Sequence, residues 1–244
     1  MKDYFKKFLD ANRNNMGFVL LVIIAVIFFL GKNLLYVTFN NPGIFLKIPI
    51  LLISIILHEI AHGYAAYFSG DKTAKYAGRL SLNPINHIDI TGFLLPILLI
   101  LSGSNFIIGW AKPVPVNYNN LNNGRFGEFL ISIAGVVTNF LLAILGVLLL
   151  KFLPATPFTH SIAPYIIYLI SFNIMIGIFN LLPIPPLDGS KIIASFAPES
   201  LREAIFGLEK YGFFLILILS YLGFIGDFIY PIYSFIVKIF NNFL

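Results

Sequence analysis

Residues 44–62 read IFLKIPILLISIILHEIAH, which joins a membrane-spanning pattern to a cluster of ionisable groups. Up to Leu57 the stretch carries a single charge, Lys47, and is otherwise almost wholly apolar, as in a helix that crosses a lipid bilayer. His58, Glu59 and His62 then follow on consecutive turns. Ionisable groups at membrane depth are costly unless they are paired or bind something. The stretch therefore predicts a membrane helix that carries a functional site.

The composition of the whole chain points to the same environment. Its 244 residues are 58% hydrophobic and 11% charged, with a mean hydropathy of +0.88, whereas a soluble domain carries about 25% charged residues. We expect a polytopic membrane protein with about five or six spans of about 20 residues each. The net charge of +5 is typical of loop lysines, and the absence of a basic patch interleaved with aromatics argues against a nucleic-acid partner.

Apolar runs place the expected spans along the chain. Spans are predicted at 17–36, 44–68, 128–153 and 163–182, while 212–240 is either two short crossings or one span plus an interfacial helix. The run 92–108, broken by Pro96, is interpreted as a re-entrant hairpin. The N-terminal run has no small-x-small cleavage site and is interpreted as an uncleaved first span, not a signal peptide.

The basic residues predict the orientation of these spans. With the N-terminus inside, most of the 16 Lys and Arg residues fall on the cytoplasmic side, as the positive-inside rule requires. Lys32, Lys47 and Lys151 fall outside, and Lys238 is not assigned to a side. We therefore expect a multi-pass plasma-membrane protein whose N-terminus and active-site side face the cytoplasm.

Two cytoplasmic loops have a weak strand pattern. Residues 75–83 alternate in polarity, and residues 110–117 contain two X-Pro steps that favour extended backbone. The expected fold class is thus all-α and polytopic, with a small β element at the membrane surface. We expect a single domain over 1–244, with an N-terminal span in 1–43, a catalytic core in 44–200 and C-terminal spans in 201–244.

The motif HEIAH at 58–62 has the spacing of a metal site. Residues four apart share one helix face, so His58 and His62 can both present nitrogens to one ion. Glu59 lies close to the same face, where a carboxylate can deprotonate a water at the metal. With no cysteine in the chain, a zinc ion would need His and carboxylate ligands.

Asp188 is the candidate for the third ligand that catalytic zinc requires. It lies in NLLPIPPLDG at 180–189, where three prolines must unwind the end of the 163–182 span and can turn the carboxylate inward. Gly189 permits a tight turn after it. His160 is predicted on the opposite membrane face and His87 in a loop, where a structural role is expected.

Four segments together resemble the site-2 protease family of intramembrane zinc metallopeptidases, in its compact prokaryotic form. They are HEIAH (58–62), GWAKPVPVN (109–117), AGVVTN (134–139) and NLLPIPPLDG (180–189). The resemblance covers roughly residues 44–200. It implies one zinc ion held by His58, His62 and Asp188, with Glu59 as general base. It also implies cleavage of a transmembrane protein or signal-peptide substrate near the cytoplasmic side of the bilayer.

Asn139 matches the asparagine of the family's AGPxxN segment, although Val136 stands where the family commonly has proline. An amide there can act in catalysis, by stabilising an oxyanion or orienting another group. The alternative is a hydrogen bond between membrane helices. Asn180 is expected to satisfy backbone groups that the prolines free.

A membrane zinc transporter is the alternative function, because transporters also place His and Glu in lipid-buried helices. A transporter needs polar residues on both sides of its site, and the outer half of the predicted spans is nearly bare of ligands. The pattern therefore favours a protease. It indicates neither a particular substrate nor an oligomeric state.

Overall fold

The computed structural model describes residues 43–87 and 112–243. Within these two ranges all regular structure is helical, and short 3-10 turns cover Pro84–His87, Tyr118–Asn120 and Glu209–Tyr211. The helices are α1 (Ile44–Phe68), α2 (Thr73–Tyr76), α3 (Gly124–Phe152), α4 (Pro157–Asn180), α5 (Asp188–Phe196), α6 (Glu199–Leu208), α7 (Gly212–Tyr221) and α8 (Phe224–Asn241). The predicted first span at 17–36 and the predicted hairpin at 92–108 lie outside the described residues.

Three of the predicted spans are confirmed as long helices. Runs 44–68, 128–153 and 163–182 correspond to α1, α3 and α4, each long and apolar enough to cross a bilayer. A fourth candidate span covers Glu199–Tyr221, so it begins with α6, earlier than the predicted start at 212. The described residues thus hold four candidate spans, and the expected total of five or six is not reached within them.

The apolar core is built around α4, which packs against α3 and α8. Ile166, Ile170, Ile174 and Ile178 recur at every fourth position of α4 and are all buried. This spacing puts them on one face of the helix. The four isoleucines belong to one apolar cluster with buried residues of α3 and α8, which packs α4 against both helices.

The predicted small β element is not supported within the described residues. Residues 75–83 contain the end of α2 followed by turns, and residues 112–117 run without a strand partner. The physical reason lies in the backbone donors of the second segment. Pro113 and Pro115 have no N–H, while the N–H of Val114 donates to the Glu59 carboxylate at 2.9 Å. Side chains, not a second strand, receive these hydrogen bonds.

Candidate metal centre

Two imidazoles and one carboxylate meet at a single point between α1 and α5. The His58 and His62 Nε2 atoms are 3.1 Å apart, and Asp188 Oδ2 lies 3.3 Å from the first and 3.2 Å from the second. All three side chains are buried. Tetrahedral ligands at about 2.0–2.1 Å from zinc are about 3.3–3.4 Å apart. The triangle of donor atoms therefore fits three corners of a zinc tetrahedron and leaves the fourth corner open.

Hydrogen bonds on the far side of each ring orient the two imidazoles. His58 Nδ1 lies 2.6 Å from Asn139 Oδ1, and His62 Nδ1 lies 2.6 Å from the carbonyl oxygen of Ile131. Because both partners are oxygen acceptors, each Nδ1 carries the proton and each Nε2 presents a lone pair to the cluster. This is the tautomer that binds a metal ion.

Asp188 completes, with His58 and His62, a set of three donor atoms that suits a cation. Its Oδ2 atom is buried and makes no hydrogen bond within the described residues. With the Nδ1 proton of each ring donated away from the cluster, neither His58 nor His62 offers this oxygen a proton. Three acceptor atoms this close together would repel one another unless a positive ion lies between them.

The chain turns Asp188 inward where the prolines predict unwinding. Helix α4 ends at Asn180, the prolines at 183, 185 and 186 follow outside any helix, and Asp188 opens α5. Gly189 makes this turn possible through a close approach, because a Cβ atom there would lie 2.2 Å from the carbonyl oxygen of Leu181. The predicted break in the span and its aspartate are both found at the expected positions.

Helix α3 approaches the two imidazoles at Gly135. A Cβ atom at this position would lie 2.5 Å from His58 Cε1 and 2.5 Å from His62 Nε2. Real Cβ atoms essentially never come this close to another atom. The missing side chain thus makes the space in which the rings lie edge to face, with centroids 4.7 Å apart.

Glu59 lies between the two histidines in sequence but outside the triangle of donor atoms. Its Oε2 accepts the N–H of Val114 at 2.9 Å, and the side chain is half-buried. The segment that supplies this donor is itself fixed, since the Arg79 guanidinium donates to the carbonyl oxygens of Lys112 and Pro113. The carboxylate is therefore held at the edge of the site with its second oxygen free of hydrogen bonds to the described residues.

Asn139 lies directly behind His58, and both ends of its amide are used within the protein. Its Oδ1 accepts from His58 Nδ1, while its Nδ2 donates to Asn173 Oδ1 at 2.9 Å. Of the two catalytic roles considered, this placement favours the orienting role, and the same two hydrogen bonds also provide the predicted alternative, a link between membrane helices. The amide N–H that would stabilise an oxyanion points toward α4 instead.

Asn173 and Ser54 belong to the hydrogen-bonded group behind His58, and the sequence patterns above did not identify them. Both are completely buried, and Asn173 Nδ2 donates to Ser54 Oγ at 2.9 Å. Each is a polar residue inside an apolar helix, which is the signal that could have identified them.

His87 and His160, by contrast, are not part of the metal cluster. His87 is buried in its loop, with Nε2 lying 2.7 Å from the carbonyl oxygen of Ser81.

A buried His-His-Asp cluster with a carboxylate at its edge, carried by helices long enough to span a bilayer, defines a membrane-embedded metal-dependent hydrolase. Comparison with known proteins agrees with this class. The profile of Peptidase family M50 matches residues 155–219. "Putative zinc metalloprotease YwhC" of Bacillus subtilis is 41% identical over 181 residues, which cover 71% of this chain and 80% of YwhC.

Two further relatives are more distant. "Putative zinc metalloprotease Rip2" of Mycolicibacterium smegmatis is 28% identical over 171 residues, covering 69% of this chain and 63% of Rip2. "Zinc metalloprotease MJ0392" of Methanocaldococcus jannaschii is 28% identical over 181 residues, covering 73% of this chain and 42% of MJ0392. No solved structure gives a significant match. The chain belongs to Peptidase family M50, the site-2 protease family, and the resemblance stated from its sequence is confirmed.

Proposed function

We propose that this protein is an intramembrane zinc metalloprotease that hydrolyses a peptide bond in or near a transmembrane segment of a membrane-protein substrate. The observation that carries the proposal is the triangle of His58 Nε2, His62 Nε2 and Asp188 Oδ2, with sides of 3.1–3.3 Å. Three ligands and one open corner are the arrangement of catalytic zinc, whereas a structural site is closed by four protein ligands.

In this proposal His58, His62 and Asp188 hold one zinc ion, and Glu59 is the general base. Zinc, when bound, is a Lewis acid that acidifies water and polarises a carbonyl group. Glu59 takes the proton of the attacking water through its free oxygen. As the C–N bond of the substrate breaks, Glu59 returns that proton to the leaving amine. The N–H of Val114 keeps the carboxylate in place during both transfers.

The segment 112–117 is the proposed docking edge for the substrate. A transmembrane helix has its carbonyl groups hydrogen-bonded, so the substrate must unwind locally before a peptide bond can reach the site. Val116 N–H and the carbonyl groups of Val114 and Val116 make no hydrogen bond to other described residues. An extended peptide that pairs with this edge, as in β-augmentation, would lie next to Glu59.

The proposed location of the protein is the plasma membrane. The positive-inside pattern supports a plasma-membrane protein whose N-terminus and active-site side face the cytoplasm. We assign the activity to one domain over 1–244, with the core in 44–200 between an N-terminal span in 1–43 and C-terminal spans in 201–244. The zinc-transporter alternative has no support from the comparisons.

Glu59→Gln tests the proposed chemistry directly. The variant keeps the shape of the side chain but cannot accept a proton, so we expect cleavage of a model transmembrane substrate in detergent or liposomes to fall by about 10²–10⁴-fold. Zinc content, measured on the same purified samples, should stay at one ion per chain. Glu203→Gln, the same change at an exposed position of α6, is the matched control and should cleave normally. Full activity in Glu59→Gln would refute the assignment of the base.

A further inference from the structure

A line of hydrogen bonds leads from His58 across three helices into the apolar interior. His58 Nδ1 lies 2.6 Å from Asn139 Oδ1, Asn139 Nδ2 donates to Asn173 Oδ1 at 2.9 Å, and Asn173 Nδ2 reaches two further acceptors. These acceptors are Ser54 Oγ and the carbonyl oxygen of Leu169, both at 2.9 Å. Asn139, Asn173 and Ser54 are each 0% exposed. None of these three side chains is exposed to solvent.

The backbone fixes the direction of every bond in this line. The carbonyl oxygen of Leu169 can only accept, so the NH₂ group of Asn173 must face it and the amide oxygen must face the other way, toward Asn139. Asn139 must then turn its own NH₂ group toward Asn173. Its oxygen is left facing His58, where only a protonated Nδ1 can donate to it.

We propose that Asn173 is a positioning residue for the metal site, which acts through Asn139 to set the tautomer of His58. With Nδ1 protonated, the lone pair of His58 Nε2 faces His62 and Asp188. Without Asn173, the amide of Asn139 is free to rotate by half a turn and present NH₂ to the ring. The ring then keeps its proton on Nε2, where it blocks a ligand position. This inference rests on the proposed zinc site.

His62 supplies an internal contrast. Its Nδ1 donates directly to the carbonyl oxygen of Ile131, which cannot change its role. The tautomer of His62 therefore depends on no side chain. The tautomer of His58, by comparison, depends on the orientation of the Asn139 amide, which Asn173 sets. The loss of Asn173 should therefore affect His58 and not His62.

The competing explanation is that Asn173 ties α1, α3 and α4 together, as polar residues in membrane helices often do. A purely tying role predicts a lower melting temperature with unchanged zinc affinity. The positioning role predicts a loss of zinc affinity when residue 139 is an amide, whose oxygen and NH₂ group differ. It predicts little loss when residue 139 is a carboxylate, whose two oxygens are equivalent. The two explanations thus differ in a quantity that can be measured without any substrate.

The test measures zinc affinity of the purified full-length protein in detergent, by competition with a chromophoric chelator. We expect Asn173→Ala to lower the affinity about tenfold, as loss of an outer-shell partner of a metal ligand does. Asn173→Asp keeps an acceptor for Asn139 but loses the donor bonds to Ser54 and Leu169, so it should retain more affinity than the alanine variant. Thr138→Val removes only a hydroxyl that donates to Ala134 O within α3 and should bind zinc normally.

A double-mutant cycle gives the decisive comparison. Asn139→Asp offers His58 an acceptor in either orientation of the carboxylate, so adding Asn173→Ala to it should cost no more than about twofold. An equal loss of affinity in both backgrounds, or unchanged affinity in Asn173→Ala, would overturn the positioning role. His58→Ala and Asp188→Asn report on the proposed site itself. If they lose zinc while Asn173→Ala keeps it, only the role of Asn173 fails; if they keep zinc, the proposed site fails.

Discussion

Asp71 and Asp188 are both buried aspartates that lie a few residues after the end of a long helix, yet their carboxylates have opposite surroundings. Asp71 accepts four hydrogen bonds, from the Thr73 N–H and hydroxyl, the Asn117 N–H and the Asn120 amide, at 2.5–3.1 Å. Asp188 points one oxygen at two imidazole nitrogens, and that oxygen makes no hydrogen bond within the described residues. Hydrogen bonds from the protein stabilise the charge of Asp71, whereas the charge of Asp188 is left for a cation.

This contrast separates a structural carboxylate from a functional one. A buried charge is normally compensated by hydrogen bonds or by an opposite charge, so a buried carboxylate oxygen without a donor calls for another partner. Asp71 joins the loop after α1 to the segment 117–120, and so helps to hold the neighbouring residues 112–117 near Glu59. Asp188 contributes little to the fold by hydrogen bonding and supplies a free oxygen to the cluster. Four experiments follow from the contrast.

The largest effect is expected for Asp188→Asn. The amide has no negative charge, and its NH₂ group can turn toward the cluster, so zinc affinity should fall by more than the roughly 10–100-fold that loss of an outer-shell partner costs. Chelator competition on the purified protein measures it. Asp71→Asn serves as the control and should retain one zinc ion per chain. Zinc loss in both variants would show that the two aspartates do not differ as described.

Gly135→Ala should have the next largest effect. Inside a helix this change normally stabilises a protein by about 0.5–1 kcal/mol, but here the new Cβ would lie 2.5 Å from His58 Cε1 and His62 Nε2. We expect a loss of zinc affinity of about tenfold or more, comparable to that of an outer-shell defect. Gly207→Ala, where a Cβ would have nothing within 4 Å, is the matched control. Normal zinc binding by Gly135→Ala would argue against the close packing of α3 on the imidazoles.

Asp71→Asn should change stability where Asp188→Asn changes zinc binding. An amide at position 71 turns a donor toward at least one of the present donors, and a buried unsatisfied group costs about 1–3 kcal/mol. The melting temperature in detergent should therefore fall. Asn120→Ala, which removes a single donor to Asp71, should lower it by less. An unchanged melting temperature would mean that the four hydrogen bonds contribute nothing to the loop.

The smallest effect is a pH dependence confined to acid. Burial raises the pKa of Asp71, but its hydrogen bonds from Thr73, Asn120 and Asn117 lower it by more, below the ordinary value of 3.8. A lowered folded-state pKa gives stability that is present above 3.8 and lost as the pH falls through the folded-state pKa. The difference in melting temperature between wild type and Asp71→Asn should be constant from neutral pH to about pH 5 and shrink below 3.8. A melting-temperature difference that changes near neutral pH would contradict a lowered pKa for Asp71.

Sequence patterns were sufficient for three of the long helices and for picking out the three residues that meet in the candidate metal centre. A long apolar run predicts a membrane helix because lipid leaves the backbone no other hydrogen-bond partners, and α1, α3 and α4 follow their runs closely. His58 and His62 are brought together by helical spacing alone. Asp188 was found from the prolines before it, which force the end of α4 at Asn180.

The patterns failed where a hydrogen bond goes to a distant side chain. Alternation in 75–83 and extended backbone in 110–117 suggested paired strands, but the N–H groups of Val114 and Asn117 donate to Glu59 and Asp71 instead. The fourth candidate span begins at Glu199, because α6 continues toward α7 through a 3-10 turn despite its charges. Neither outcome is encoded in local periodicity.

The chain's own residues thus specify a membrane protein, its main spans and the three candidate ligands, since composition and helical spacing act locally. The packing of α3 and α4 behind the site is not local. The orientation of Asn139, the dependence of His58 on Asn173, and the space left by Gly135 all arise from contacts between helices far apart in the chain. In a lipid-depth interior, where each polar group must find a protein partner, those contacts decide which tautomer faces the metal site.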